Sequence, residues 1–160
     1  MVIGAWLLLL LLLTLFFSQW LERQRNPNRQ LSVTTGVAGE VAVVLQRNRA
    51  GHYVAPGRIN GVPVTYLLDT GATFVAVSSE LAERADLQRG ASAQSRTANG
   101  VVRSWLTNID QLQLGPIMMR EVKATILPNM PENEVLLGMS FLQHLALKQQ
   151  GDELVISLPP

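Results

Sequence analysis

The chain has 160 residues, a formal net charge of +1 and no cysteine. So balanced a charge gives no reason to expect a nucleic-acid partner, and the lack of cysteine excludes disulfides, thiolate metal sites and cysteine nucleophiles. The 48% hydrophobic content and mean hydropathy of +0.19 are high for a soluble domain, and much of the excess lies in one N-terminal segment.

From Val2 to Leu21 only Thr14, Ser18 and Gln19 interrupt the apolar run, and no charge occurs before Glu22. At ~1.5 Å per helical residue, roughly 20 residues cover the ~30 Å bilayer core, so residues 1–21 are expected to form a transmembrane anchor in the lipid bilayer. Trp6 and Trp20 fall where interfacial aromatic rings belong. A cleaved signal peptide would need a small-x-small cleavage site, and Phe16-Phe17-Ser18-Gln19-Trp20 offers none. Residues 22–37 are polar, interrupted by Pro27 and Gly36, and read as a tether. About 120 residues remain, over 38–160, enough for one compact domain.

That domain reads mainly as strands. Glu40 to Gln46 is β-branched and apolar; Tyr53 to Ile59 runs through the turn Asn60-Gly61 into Val62 to Leu68, an Asn-Gly pair supplying the positive φ of a two-residue hairpin. Phe74 to Val77 is short and apolar, and Ser78 or Ser79 can cap a helix over Glu80 to Ala85. Asn99-Gly100 joins Gln94 to Ala98 with Val101 to Leu106. Gly115-Pro116 separates Ile109 to Leu114 from Ile117 to Leu127. After a Pro-bounded loop come Val135-Leu136-Leu137-Gly138, a short helix near Ser140 to His144, and a hairpin of Leu145 to Gln149 with Glu153 to Leu158. Such spacing predicts a small all-β barrel with one or two short helices.

Between the strands ending at Leu68 and beginning at Phe74 lies Asp69-Thr70-Gly71-Ala72-Thr73, the single Asp-Thr-Gly turn of the chain. A carboxylate on a tight turn leaving a buried strand suits peptide hydrolysis by an activated water, which needs two carboxyl groups. Held about 3 Å apart, such a pair shares one proton. With one turn per chain, the second carboxyl group must come from a second copy, so a homodimer is expected, with terminal strands such as Leu154 to Leu158 able to interleave across the twofold axis. Gly71 is read as allowing a sharp turn, and Thr70 as reaching the opposite chain's loop. Ala72 lacks a hydroxyl to donate to the carboxylate, which points to a mildly acidic to near-neutral working range.

Four segments carry a family resemblance: Gly51-His52-Tyr53; Ile59-Asn60-Gly61-Val62-Pro63-Val64 leading to Leu68-Asp69-Thr70-Gly71-Ala72-Thr73; Thr97-Ala98-Asn99-Gly100; and Leu136-Leu137-Gly138-Met139-Ser140-Phe141-Leu142. In these the chain resembles the bacterial membrane-anchored, retropepsin-like aspartic proteases, in the clan that contains the retroviral proteases. The resemblance implies a retropepsin-like acid-protease barrel, an aspartic endopeptidase acting as a homodimer on a polypeptide substrate, and no cofactor. It implies catalytic roles for Asp69, Thr70 and Gly71. Substrate would meet Ala72 and the tip of a flap at Ala98, Asn99 and Gly100, and Leu136, Leu137 and Gly138 would support the catalytic turn from behind. Trp105 is read equally as packing at the base of that flap or as a core aromatic.

Other chemistry finds no footing. His52 and His144 have no metal-ligand spacing, Ser78, Ser79 and Ser140 lack the serine-hydrolase elbow, and no Gly-rich phosphate loop is present. A rival function is a catalytically silent, membrane-tethered dimerisation or peptide-binding module of the same fold, which the intact Asp-Thr-Gly-Ala turn disfavours. Arg23, Arg25 and Arg29 after the anchor would hold the domain in the cytoplasm by the positive-inside rule. The resemblance favours a bacterial inner-membrane protein with its protease domain in the periplasm, and that is the expectation adopted.

Overall fold

The computed structural model describes residues 2–35, 40–97 and 100–159. A long helix, α1 (Val2–Arg25), precedes β1 (Ser32–Thr35), β2 (Val41–Gln46), β3 (Val54–Ile59), β4 (Val62–Leu68), β5 (Val75–Ser78) and the short helix α2 (Ser79–Arg84). Then follow β6 (Ser92–Thr97), β7 (Gly100–Leu114), β8 (Ile117–Leu127), β9 (Glu134–Leu137), α3 (Met139–Leu142), β10 (Ala146–Gln150) and β11 (Glu153–Ser157). The all-β domain with short helices expected from the spacing is present.

Among the described residues the strands form two sheets. One is four-stranded, ordered β1-β2-β11-β10; the other is seven-stranded, ordered β3-β4-β9-β5-β8-β7-β6, and a β3–β7 pairing closes it into a barrel. Asn60 secures that closure. It adopts φ 47 ahead of Gly61 at φ 82, as the hairpin requires, and its side chain accepts from Gln111 N at 3.0 Å and donates to Ala85 O at 2.9 Å. Inward-facing residues such as Leu45, Ile59, Tyr66, Ile109, Ile126 and Phe141 are fully buried and supply the main stabilising term, burial of apolar surface. Tyr66 fits because β3 carries Gly57 at the diagonal position, two residues from its partner Ala55: a Cβ there would lie 2.0 Å from the ring. The Tyr66 hydroxyl donates to Arg58 O at 2.7 Å.

Three expectations change. Residues 22–37, read as a tether, are largely structured: α1 continues to Arg25, and β1 pairs with β2. Asn28 between them is 4% exposed. Its amide donates to Gln46 O at 2.9 Å and Val54 O at 2.7 Å, and its Oδ1 accepts from Gln46 N at 2.7 Å. A polar residue with all these groups satisfied can be buried, and residues 36 and 37 lie outside the described residues.

Secondly, β11 does not wait for a partner chain, because both of its edges are already paired, to β2 and to β10. Thirdly, residues 2–21 are helical as expected, with Leu7 to Leu13, Phe16 and Phe17 exposed, but spanning a membrane is not shown. Counted over residues whose side chains are described, no helix is long and apolar enough to cross a membrane.

Candidate active site

Consecutive strands β4 and β5 are not neighbours. β9 lies between them, parallel to β4 and antiparallel to β5, so the chain cannot close a hairpin after Leu68 and must pass over the end of β9. Residues 69–74 make that passage, and the end of β9 holds them from behind. Asp69 N donates to Leu137 O at 3.2 Å, while Met139 N and Ser140 N donate to Ala72 O at 2.8 Å and Thr73 O at 2.9 Å. Gly138 must be glycine at this crossing, since a Cβ on it would meet Phe74 O at 2.3 Å and Ala72 O at 2.8 Å.

Within the loop, Gly71 N donates to Asp69 Oδ1 at 2.9 Å and Ala72 N to Asp69 O at 3.2 Å. The first bond fixes one carboxylate oxygen, and the other makes no hydrogen bond within the described residues. Asp69 is half-buried, and Thr70 and Gly71 are exposed. Gly71 does not have a positive φ, so the sharp-turn reason does not hold. A side chain there would instead crowd Asp69 Oδ1, at 3.1 Å. The Thr70 hydroxyl makes no hydrogen bond within the described residues.

The structure thus brings Asp69, Thr70, Gly71 and Ala72 onto one loop, with Leu136, Leu137 and Gly138 directly behind it. Leu137 is buried. Ala98 and Asn99 lie outside the described residues. Gly100 opens β7 at φ 111, is exposed, and accepts from the Thr97 hydroxyl at 2.9 Å. The β7–β8 ladder begins at Trp105, paired with Ile126, whereas β6 pairs with β7 from Gly100 to Trp105. Residues 92–97 and 100–104 therefore project beyond the barrel as a two-stranded arm, the geometry of a flap. At its root, Trp105 packs on the core, with the Arg89 and Arg103 guanidinium carbons 4.8 Å and 5.9 Å from the ring centroid.

One supporting residue escaped the sequence reading. Ser140 does not cap α3; its hydroxyl accepts from Val75 N at 2.9 Å and donates to Lys123 O at 2.7 Å, joining the helix after β9 to β5 and β8. Its position two residues after Gly138 was the available signal, but a Ser at a helix start reads locally as a cap. His52 and His144 are both exposed, and among the described residues no group of three or more His, Cys, Asp or Glu side chains could hold a metal ion.

A carboxylate loop straddling an inserted strand, in a barrel that also carries a projecting hairpin, is the arrangement of the retropepsin-like class of fold. A solved structure agrees on the fold: a retropepsin-like aspartic protease from Rickettsia conorii is similar with a TM-score of 0.60 and 22% identity, over 81% of this chain and 94% of that one. EIAV protease in complex with the inhibitor HBY-793 gives a TM-score of 0.48 and 22% identity over 62% and 92% of the two chains. A relative from Sinorhizobium sp, described as an "uncharacterized protein in cobV 5'region", is 30% identical over 95% of this chain and 70% of its own length. Residues 55–144 match the family described as "gag-polyprotein putative aspartyl protease". The chain belongs to that family, and it is a retropepsin-like aspartic endopeptidase.

Proposed function

We propose that this chain works as a membrane-anchored homodimer in which each copy gives one Asp69 to a water-activating dyad. One ionised carboxylate takes the proton of a water and the protonated partner polarises the scissile carbonyl. The observation that carries this reading is the single Asp69, held rigidly from behind by Leu137 and Gly138 yet open to solvent in front. Thr70, exposed beside it, is placed to bond the partner's loop. Since β11 is enclosed by its own sheet, the twofold contact falls to the 69–73 loop and to exposed edges such as β10, all of whose residues are exposed. The arm carrying Ala98, Asn99 and Gly100 closes over an extended peptide, bonding its backbone as a strand would, with Ala72 lining the floor.

Anchoring rests on α1. Its 24 residues reach about 36 Å at ~1.5 Å per residue, with the exposed leucines facing lipid. The domain is placed in the periplasm of a bacterial inner membrane, which alkaline phosphatase fused after Pro160 tests: the enzyme folds only in an oxidising compartment, so a well-expressed but inactive fusion contradicts the placement. Catalysis is tested by presenting a peptide library to the protein with and without pepstatin, and to Asp69→Asn. Cleavage products that vanish in both arms support the reading; products unaffected by Asp69→Asn overturn it.

A further inference from the structure

The sheet register lays one row of side chains beside the catalytic turn. Val54 pairs with Leu67, Leu67 with Leu136, Leu136 with Ala76, Ala76 with Thr125 and Thr125 with Leu106, and cross-strand partners share a face of the sheet. Their neighbours along the strands, Ala55, Tyr66, Val135, Leu137, Val75 and Val77, are buried in the core. The row therefore runs across the opposite face, where Val54, Leu67 and Leu136 are half-buried and Leu106 is exposed. Leu67 stands two residues before Asp69 and Ala76 two after Phe74, so the row passes both ends of the catalytic loop.

Glu134 is the next residue of β9 on that face. It stands two residues before Leu136 and pairs with Thr65, itself two before Leu67. Burial along β9 alternates accordingly, Glu134 and Leu136 half-buried, Val135 and Leu137 buried. Glu134 and Thr65 line a cleft of about 690 Å³ together with Val54, Leu67 and Pro131. With strands ~4.8 Å apart and ~3.3 Å per residue, the Cα of Glu134 lies within about 14 Å of that of Asp69. An extended peptide cut at Asp69 passes Glu134 within about three residues of the cut at the same spacing.

The charges around this cleft differ in weight. Arg25 and His52 line it from α1 and from the loop between β2 and β3, and both are exposed, so water and salt screen them. Glu132 is held by Arg84 at 3.2 Å. Glu134 is half-buried, and its carboxylate has no hydrogen bond or ion pair among the described residues. A carboxylate partly withdrawn from water attracts a cation more strongly than an exposed charge repels it. A dyad sharing one proton adds a further net negative charge nearby.

Resting on the reading of Asp69 as one half of a peptide-cutting dyad, we propose that Glu134 is a specificity-determining residue that receives a lysine or arginine side chain within about three residues of the scissile bond. The aliphatic stem of such a side chain lies along Val54, Leu67 and Pro131, and its charged end meets the carboxylate, as the two-part character of long basic side chains favours. The substrate class is polypeptide with a basic residue close to the cleavage site.

Fluorescein-labelled decapeptides of alanine, serine and leucine, with Lys, Gln or Glu placed in turn at each central position, test this on the full chain. The ratio of kcat/KM for Lys over Gln peptides is taken within each variant, so that a general loss of activity cancels. The proposal expects the wild type to favour Lys by about tenfold at one position or more, as a bond to a charged group allows. Glu134→Gln should bring that ratio near one, and Glu134→Lys should favour Glu peptides instead. A ratio near one in the wild type, or one unchanged in Glu134→Gln, overturns the proposal and leaves the dyad standing if Asp69→Asn still abolishes cleavage. Cleavage that persists in Asp69→Asn overturns the dyad itself. If the decapeptides are not cut, fluorescence anisotropy gives their affinities for Asp69→Asn with and without Glu134→Gln, and the same ratios support or overturn the proposal.

Discussion

Gly138 and Phe74 stand so close that a Cβ on the glycine would lie 2.3 Å from the phenylalanine's carbonyl oxygen. The obstruction is backbone, which has no rotamer in which to retreat. Gly138→Ala must push β9 away from the loop it supports, and overpacking of this kind costs about 1–3 kcal/mol or more. The expected result is a lower unfolding midpoint together with a fall in kcat larger than any change in KM, since Asp69 N bonds to Leu137 O next door. A variant with native kcat would show that β9 does not hold the carboxylate.

Asn28→Ala removes the partner of Gln46 N and one partner each of Gln46 O and Val54 O. A buried group left unpaired costs about 1–3 kcal/mol. Hydrogen exchange at the Gln46 amide should quicken by one to two orders of magnitude, as roughly 1.4 kcal/mol per tenfold requires, while the Asp69 amide, bonded to Leu137 O on β9, stays protected. Equal exchange at Gln46 in both proteins would deny the clamp.

Burial pushes the Tyr66 hydroxyl well above its ordinary range, with weaker opposing bonds from the Gln113 and Arg58 backbone. In the unfolded chain this tyrosine ionises near pH 10. The folded state therefore holds the proton at pH values where the unfolded state releases it, so its contribution to stability is intact below about pH 10 and falls as pH rises beyond. Urea midpoints between pH 9 and pH 11 should drop more steeply for the wild type than for Tyr66→Phe, whose overall stability is lower through loss of the bond to Arg58 O. Parallel slopes would contradict this.

What could be read from the sequence was what local chemistry determines. β4 and β8 have the bounds that their apolar runs predict, and Ser78 caps α2, its Oγ accepting from Leu81 N at 3.0 Å. The Asp69 loop was also legible as a carboxylate-glycine turn, whereas the place of Leu136, Leu137 and Gly138 behind it came from the family resemblance and not from local chemistry. β7 was read as two strands, Val101 to Leu106 and Ile109 to Leu114; pairing of Thr107 and Asn108 with Ala124 and Lys123 keeps it one strand. The role of Asn28 depends on Gln46 and Val54, 18 and 26 residues away, and no window of sequence contains all three. Likewise β11 has the same pattern whether its second neighbour is β2 of its own chain or a partner's strand, so the hairpin with β10 was legible and the pairing with β2 was not.

The central claim is that the active centre needs Asp69 from two chains, and subunit mixing tests it most directly. Wild type and Asp69→Asn are dissociated, combined in equal amounts and reassembled at fixed total chain concentration, and peptide cleavage is measured. If only dimers with both carboxylates cut, activity falls to about one quarter of that of the same amount of wild-type chain, the share of dimers with two native copies under random pairing. Activity of about one half, linear in the wild-type fraction across the mixing series, would mean that each chain acts alone and would contradict the shared dyad.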